Sequence, residues 1–140
     1  MRRFVVQAKR QYPIRELALS LVSDKHQKDF TGEIRALHKF VRDNIRYVRD
    51  IRGIETVSTP AMTLSIGQGD CDDKATLLAA LLETIGHKTR FVAVGFQPGQ
   101  YAHVLVETKI GKRWIPLETT EPVNVGWYPP NVASRMTIYN

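Results

Sequence analysis

Apolar residues recur at helical spacing through the first half of the chain and run together as strands through much of the second. The clearest helix lies between residues 33 and 49. Ile34, Leu37, Val41, Ile45 and Val48 repeat there at steps of three and four, and Phe40 widens the stripe. Thr31 is the expected N-cap, with Gly53 beyond the helix's end. Residues 1–30 are ambiguous: Phe4-Val5-Val6 fits a short strand, while Ile14 to Val22 has helical spacing after Pro13. Between Asp50 and Gly69 the periodicity is lost among Ser, Thr, Gly and Pro60. This reads as a long connection from which Met62, Leu64 and Ile66 pack inward.

A second helix is expected from Cys71 to about Ile85. Ala75, Leu77, Leu78, Ala79, Ala80, Leu81, Leu82 and Ile85 leave it almost no polar face, so it belongs at the centre, with Gly86 ending it. Arg90 to Phe96 is a nearly continuous apolar run, the pattern of a strand covered on both faces. Tyr101 to Thr108 and Arg113 to Glu118 flank Lys109-Ile110-Gly111-Lys112 and predict a β-hairpin. The Pro- and Gly-rich tail from Thr119 is expected to wrap the surface, with a last short strand at Met136–Tyr139.

Composition narrows the class. With 140 residues, 43% hydrophobic and 24% charged, the chain fits one soluble globular domain. No apolar run approaches the ~20 residues of a membrane-spanning helix, and the N-terminus lacks a secretory signal's apolar stretch, so a cytoplasmic setting is the expectation. The net charge is +6. Residues 1–50 hold 12 Lys/Arg against 6 Asp/Glu, and the remainder holds 8 of each, so the excess is confined to the first part. A solvated helix face accounts for it. A basic surface at residues 33–49 meeting an acidic partner is the sharper alternative, and no recognised nucleic-acid motif accompanies it.

Cys71 is the single cysteine, either a buried small hydrophobe or a reactive thiol. Its setting is Gly67-Gln68-Gly69-Asp70-Cys71-Asp72-Asp73. With Asp70 as N-cap and Asp73 at the third helical position, Cys71 opens the helix, where the dipole favours a thiolate and free N–H groups can hold an oxyanion. The three aspartates oppose that thiolate, so a cationic imidazole is required nearby. Consecutive positions at a helix start diverge, so capping is preferred to metal binding and no metal or other cofactor is implied. A tight hairpin whose facing residue numbers sum to 221 sets His103 opposite Glu118, within reach of a hydrogen bond. A register changed by two would keep the pair on one face. Thiol, imidazole and carboxylate are the parts of an activated nucleophile. His26, His38 and His87 read as solvated.

These blocks resemble the transglutaminase-like core: Gly69-Asp70-Cys71 opening an apolar helix, then Ala102-His103-Val104-Leu105-Val106-Glu107, then Lys112-Arg113-Trp114-Ile115-Pro116-Leu117-Glu118-Thr119-Thr120. The upstream helix with Tyr47 and the Ser58-Thr59-Pro60 segment also fit, so the resemblance covers about residues 33–120, with 1–32 an extension and 121–140 a wrap. It resembles the smaller microbial or phage-encoded members. The resemblance implies an α+β papain-like fold, its central helix packed on an antiparallel sheet. It implies Cys71 as nucleophile, His103 as base and Glu118 as the orienting acid, where the family usually has Asp. Gln68 and the Cys71 N–H are the candidate oxyanion donors. The implied reaction is acyl transfer on amide or peptide bonds through a thioester, with protein or peptide substrates and hydrolysis ahead of crosslinking. The competing expectation is a non-catalytic binding or assembly module, such as a phage structural component.

Overall fold

A computed structural model describes residues 1–49 and 58–138. Gly53 and Tyr139, both assigned from the sequence pattern, lie outside them. The elements in chain order are helices α1 (Arg2–Ala8), α2 (Tyr12–Leu21) and α3 (Phe30–Asn44), strand β1 (Arg46–Tyr47) and helix α4 (Pro60–Ile66). Strand β2 (Gln68–Gly69), helix α5 (Cys71–Thr84) and strands β3 (Thr89–Gly95), β4 (His103–Ile110), β5 (Arg113–Leu117) and β6 (Ser134–Ile138) complete the order.

The fold is α+β, with α5 as its central buried helix. Every residue of α5 from Asp73 to Leu82 is buried. Helices α1 to α4 pack around it, and its remaining side lies on the sheet ordered β5-β4-β3-β6. All pairings in that sheet are antiparallel. β3 is buried along its whole length, as its continuous apolar run predicts. Phe91, Val106 and Leu117 join the α5 core, while Val92, Val94 and Leu105 form a smaller cluster against Tyr128 and Val132 of the tail.

Several expectations are corrected. Phe4-Val5-Val6 lies in a helix, not a strand, because Val5 and Ala8, one turn apart, carry its buried contact. The cap of α3 is Asp29, whose carboxylate accepts from the Gly32 N–H at 3.1 Å; Thr31 is already inside the helix. Part of the long connection is α4, capped by Thr59 with Pro60 in its first turn. Its buried residues are Pro60 and Thr63, whereas Met62 and Ile66, one turn apart, share an exposed side.

The hairpin turns one residue later than expected. Ile110 faces Arg113 and Val106 faces Leu117, so facing numbers sum to 223. Gly111 takes the first central position with φ 62, a conformation that a side chain disfavours, and this centres a two-residue loop on Gly111-Lys112. A shift of two leaves the facing of the strands unchanged. Glu118 is thus the first residue beyond the ladder, diagonal to His103 rather than opposite it.

Candidate active site

The helix start is built as its sequence predicts. The Asp70 carboxylate accepts from the Asp73 N–H at 3.0 Å, and Asp73 accepts from the Asp70 N–H at 3.2 Å, closing a capping box. Asp73 also accepts from the Ser58 N–H at 2.7 Å, which ties the preceding connection to the helix. A Cβ on Gly69 would sit 2.6 Å from Asp73 Cβ, so the glycine makes room for the cap. Cys71 is half-buried as the first residue of α5, and its backbone N–H has no partner within the helix. Its sulfur lies 3.8 Å from Asp72 Oδ1.

β4 delivers His103 to this helix start. Ala102 N–H donates to the carbonyl of Val94, the residue that also faces His103. Two residues therefore oppose one, the arrangement of a β-bulge, which re-aims a side chain where a strand begins. The chain arriving at β4 crosses close over β3. A Cβ on Gly95 would fall 1.4 Å from the Gln100 carbonyl oxygen, so only glycine admits this approach.

His103 Nε2–H donates to Glu118 Oε2 at 2.6 Å. The Cys71 thiol lines the same cleft and is among the groups that act on the imidazole. Burial alone would lower the basicity of His103. The bonds to Cys71 and Glu118, together with their charges, outweigh it and raise the imidazole to about 10. Glu118 is 1% exposed. Its burial favours the neutral acid, yet its bonds to His103 and to Thr120 hold it below the usual carboxylate range. The Thr120 N–H and hydroxyl both donate to Glu118 Oε1, at 3.0 and 2.9 Å. Thiol, imidazole and carboxylate are thus gathered at one end of α5, with the last two hydrogen-bonded to each other.

The cysteine and histidine open on a cleft of about 490 Å³ flanked by Tyr47, Arg49, Asp70, Asp72 and Tyr101. Gln68 is not among the described residues lining it; its side chain is exposed on β2, where it pairs with Arg46. Along the basic stretch, Arg35 and Lys39 are exposed, while Arg42 bonds to Asp43 and to the Val123 carbonyl. Among the described residues, no group of three or more His, Cys, Asp or Glu is placed to hold a metal. None of their helices is long and apolar enough to cross a membrane.

Two histidines read as solvated are instead engaged. His87 Nε2 lies 3.0 Å from Glu33 Oε1. His38 is 1% exposed, and its Nε2–H donates to the backbone carbonyl of Glu118 at 2.6 Å. Burial lowers its basicity, so the ring is neutral at pH 7. The signal was present in the sequence: Ile34, His38, Val41 and Ile45 follow one another at steps of four, three and four. Lys74 is also buried, 2% exposed, and its Nζ donates to the Ile45 carbonyl at 2.6 Å; burial brings it down to about 8.

The family model for the transglutaminase-like superfamily matches residues 15–119. No curated protein matches the chain. Among solved structures, a candidate protease from Parabacteroides distasonis superposes with a TM-score of 0.66 at 15% identity, over 81% of this chain and 25% of that one. A candidate cysteine protease from Cytophaga hutchinsonii gives 0.63 at 18% identity, over 97% of this chain and 51% of that one. LapG of Legionella pneumophila gives 0.65 at 16% identity, over 94% and 79%. The chain therefore spans about a quarter and about half of the first two proteins. At these identities the likeness is one of fold.

Proposed function

The chain belongs to the transglutaminase-like superfamily, and from that premise we propose that it is a cysteine hydrolase acting on amide or peptide bonds. Cys71 is the nucleophile, His103 the acid and base, and Glu118 the group that orients the imidazole. The observation that carries this reading is the 2.6 Å bond from His103 Nε2 to Glu118, beside a cleft that both His103 and the Cys71 thiol line. The names of the similar structures from Parabacteroides distasonis and Cytophaga hutchinsonii favour proteolysis over crosslinking.

In the proposed reaction the imidazolium is the counter-charge of a Cys71 thiolate. The sulfur attacks the substrate carbonyl carbon, and the resulting oxyanion takes the Cys71 N–H as a donor. His103 Nδ1–H then protonates the departing amine as the C–N bond breaks, leaving a thioester and a neutral imidazole. That imidazole takes a proton from water as the water's oxygen attacks the thioester. Release of the carboxylic acid product restores thiolate and imidazolium, so protons and electrons balance.

The rate of Cys71 alkylation by iodoacetamide at pH 6, in the native protein and in His103→Ala, tests the assignment. The native thiol is expected to react faster than free cysteine, and the variant to lose that excess by on the order of 10²-fold. A native thiol as sluggish as free cysteine would falsify the reading and favour a non-catalytic module.

A further inference from the structure

We propose that His38 is a positioning residue of this site, holding the backbone of Glu118 so that its carboxylate meets His103. The inference rests on the catalytic reading above and extends it to a residue on a different helix.

Glu118 lies one residue beyond the last ladder pair, Val106 with Leu117, so the sheet's regular bonding stops before it. Three groups hold it instead. Thr120 fixes Oε1, His103 meets Oε2, and His38 binds the main-chain carbonyl at 2.6 Å. Only the last of these acts on the backbone. A carbonyl can only accept, so His38 Nε2 carries the proton. The ring comes from the buried face of α3, beside Leu37 and Val41, and both ends of the contact are about 1% exposed. Losing the donor at such a site would leave a buried carbonyl unpaired. Arg42 and Asp43 are the charged side chains of α3 that act on the ring; Glu118 is the one that acts on it from the sheet.

The consequence is geometric. A carboxylate on a freed backbone shifts against the imidazole, and a misplacement of about 1 Å costs up to 10²-fold in rate. Glutamate needs this anchor more than aspartate would, because its additional rotatable bond multiplies the positions its carboxylate can take. His38 touches neither the thiol nor the cleft; it acts through Glu118.

Isosteric substitution tests the role. Glutamine places an amide N–H where Nε2–H stood, and asparagine places it near Nδ1, too short to reach the carbonyl. His38→Gln is expected to keep the iodoacetamide rate of Cys71 at pH 6 within about threefold of native, while His38→Asn loses 10-fold or more. In NMR titrations the His103 imidazole should change protonation at a lower pH in His38→Asn than in His38→Gln. Both variants introduce an amide into the same buried place, so a merely structural role would lower their rates alike and leave the titration of His103 unmoved. Equal rates in the two variants, with native reactivity and its loss in His103→Ala intact, overturn the role of His38 alone. Loss of native reactivity overturns the catalytic reading beneath it.

Discussion

Two buried carboxylates stand on the same hairpin, Glu107 within β4 and Glu118 just past β5, and their partners set them apart. Glu107 accepts from Arg90 Nε at 2.7 Å and from Arg135 Nη2 at 3.0 and 3.1 Å. Arg90 in turn lies 4.2 Å over the Trp114 ring. Both cations are guanidiniums, which keep their protons at every physiological pH. Glu118 meets an imidazole, which can release its proton, and that imidazole opens on a cleft with a thiol. Burial is nearly equal, so depth does not separate the two sites. A carboxylate locked between permanent charges ties β4 to β3 and β6 and can do nothing else. One paired with a titratable base at a cavity is suited to chemistry.

The largest expected effect comes from neutralising each acid in turn. Glu118→Gln should lower peptide hydrolysis by 10²-fold or more, because an amide no longer selects the imidazole tautomer that faces the thiol. Its stability should fall as well, because the imidazolium loses its partner, so its rate is compared per folded molecule. Glu107→Gln leaves two guanidiniums without their buried counter-charge, at a cost of about 3 kcal/mol. Its hydrolysis rate per folded molecule should be native. Denaturant midpoints and rates on the same preparations decide the matter. A Glu118→Gln variant that fails only by unfolding would erase the distinction.

A smaller effect separates the two by pH. In a Cys71→Ala background the bond and charge of Glu118 are what remains to raise the His103 imidazole against its burial. They are expected to hold its folded value above 6.5, so that its contribution to stability is complete below pH 6.5. It is lost as the pH climbs through the folded value. Between pH 6.5 and 8 the loss is at most about 1.4 kcal/mol per pH unit. Lys74, lowered to about 8, works in the opposite sense only above that value, where the unfolded chain holds the extra proton. Urea unfolding across pH 6.5–8 should show this decline with Glu118 present and lose it in Glu118→Gln. Glu107→Gln should leave the slope unchanged, because arginine does not titrate there. A slope indifferent to Glu118 would show that the imidazole draws nothing from it.

The sequence made these sites legible to different degrees, for physical reasons. The capping box at Asp70 and Asp73 is local chemistry within four residues, and the structure has it as read. The pairing of His103 with Glu118 depended on a turn, which the sequence pattern centres between Ile110 and Gly111 and the structure centres between Gly111 and Lys112. Only the positive φ of Gly111 chooses between them. The pair survived because an even shift preserves the strand face. His38 was misread as polar and solvated although its spacing put it on the buried side of α3. What makes its burial tolerable is a carbonyl 80 residues away, which no local pattern announces. The Glu107 cluster was also missed, since two of its members look like ordinary strand charges until β6 folds beside β3.

The smallest test compares a threonine on the Glu118 carboxylate with one on the arginine that serves Glu107. Thr120 gives Glu118 Oε1 two donors, so Thr120→Val removes the hydroxyl at 2.9 Å and leaves the backbone N–H at 3.0 Å. Thr137 accepts from Arg135 Nη1 at 3.0 Å near the exposed edge of β6. A hydrogen bond to a buried ion contributes roughly 1.5–3 kcal/mol, and the remaining N–H recovers part of it. Hydrolysis by Thr120→Val should therefore fall about threefold to tenfold. Thr137→Val should change neither rate nor midpoint beyond about 0.5 kcal/mol, because solvent replaces its bond. If the two substitutions proved equally silent, the Thr120 hydroxyl would be no more than packing, and the orientation of Glu118 would rest on His38 and the Thr120 backbone.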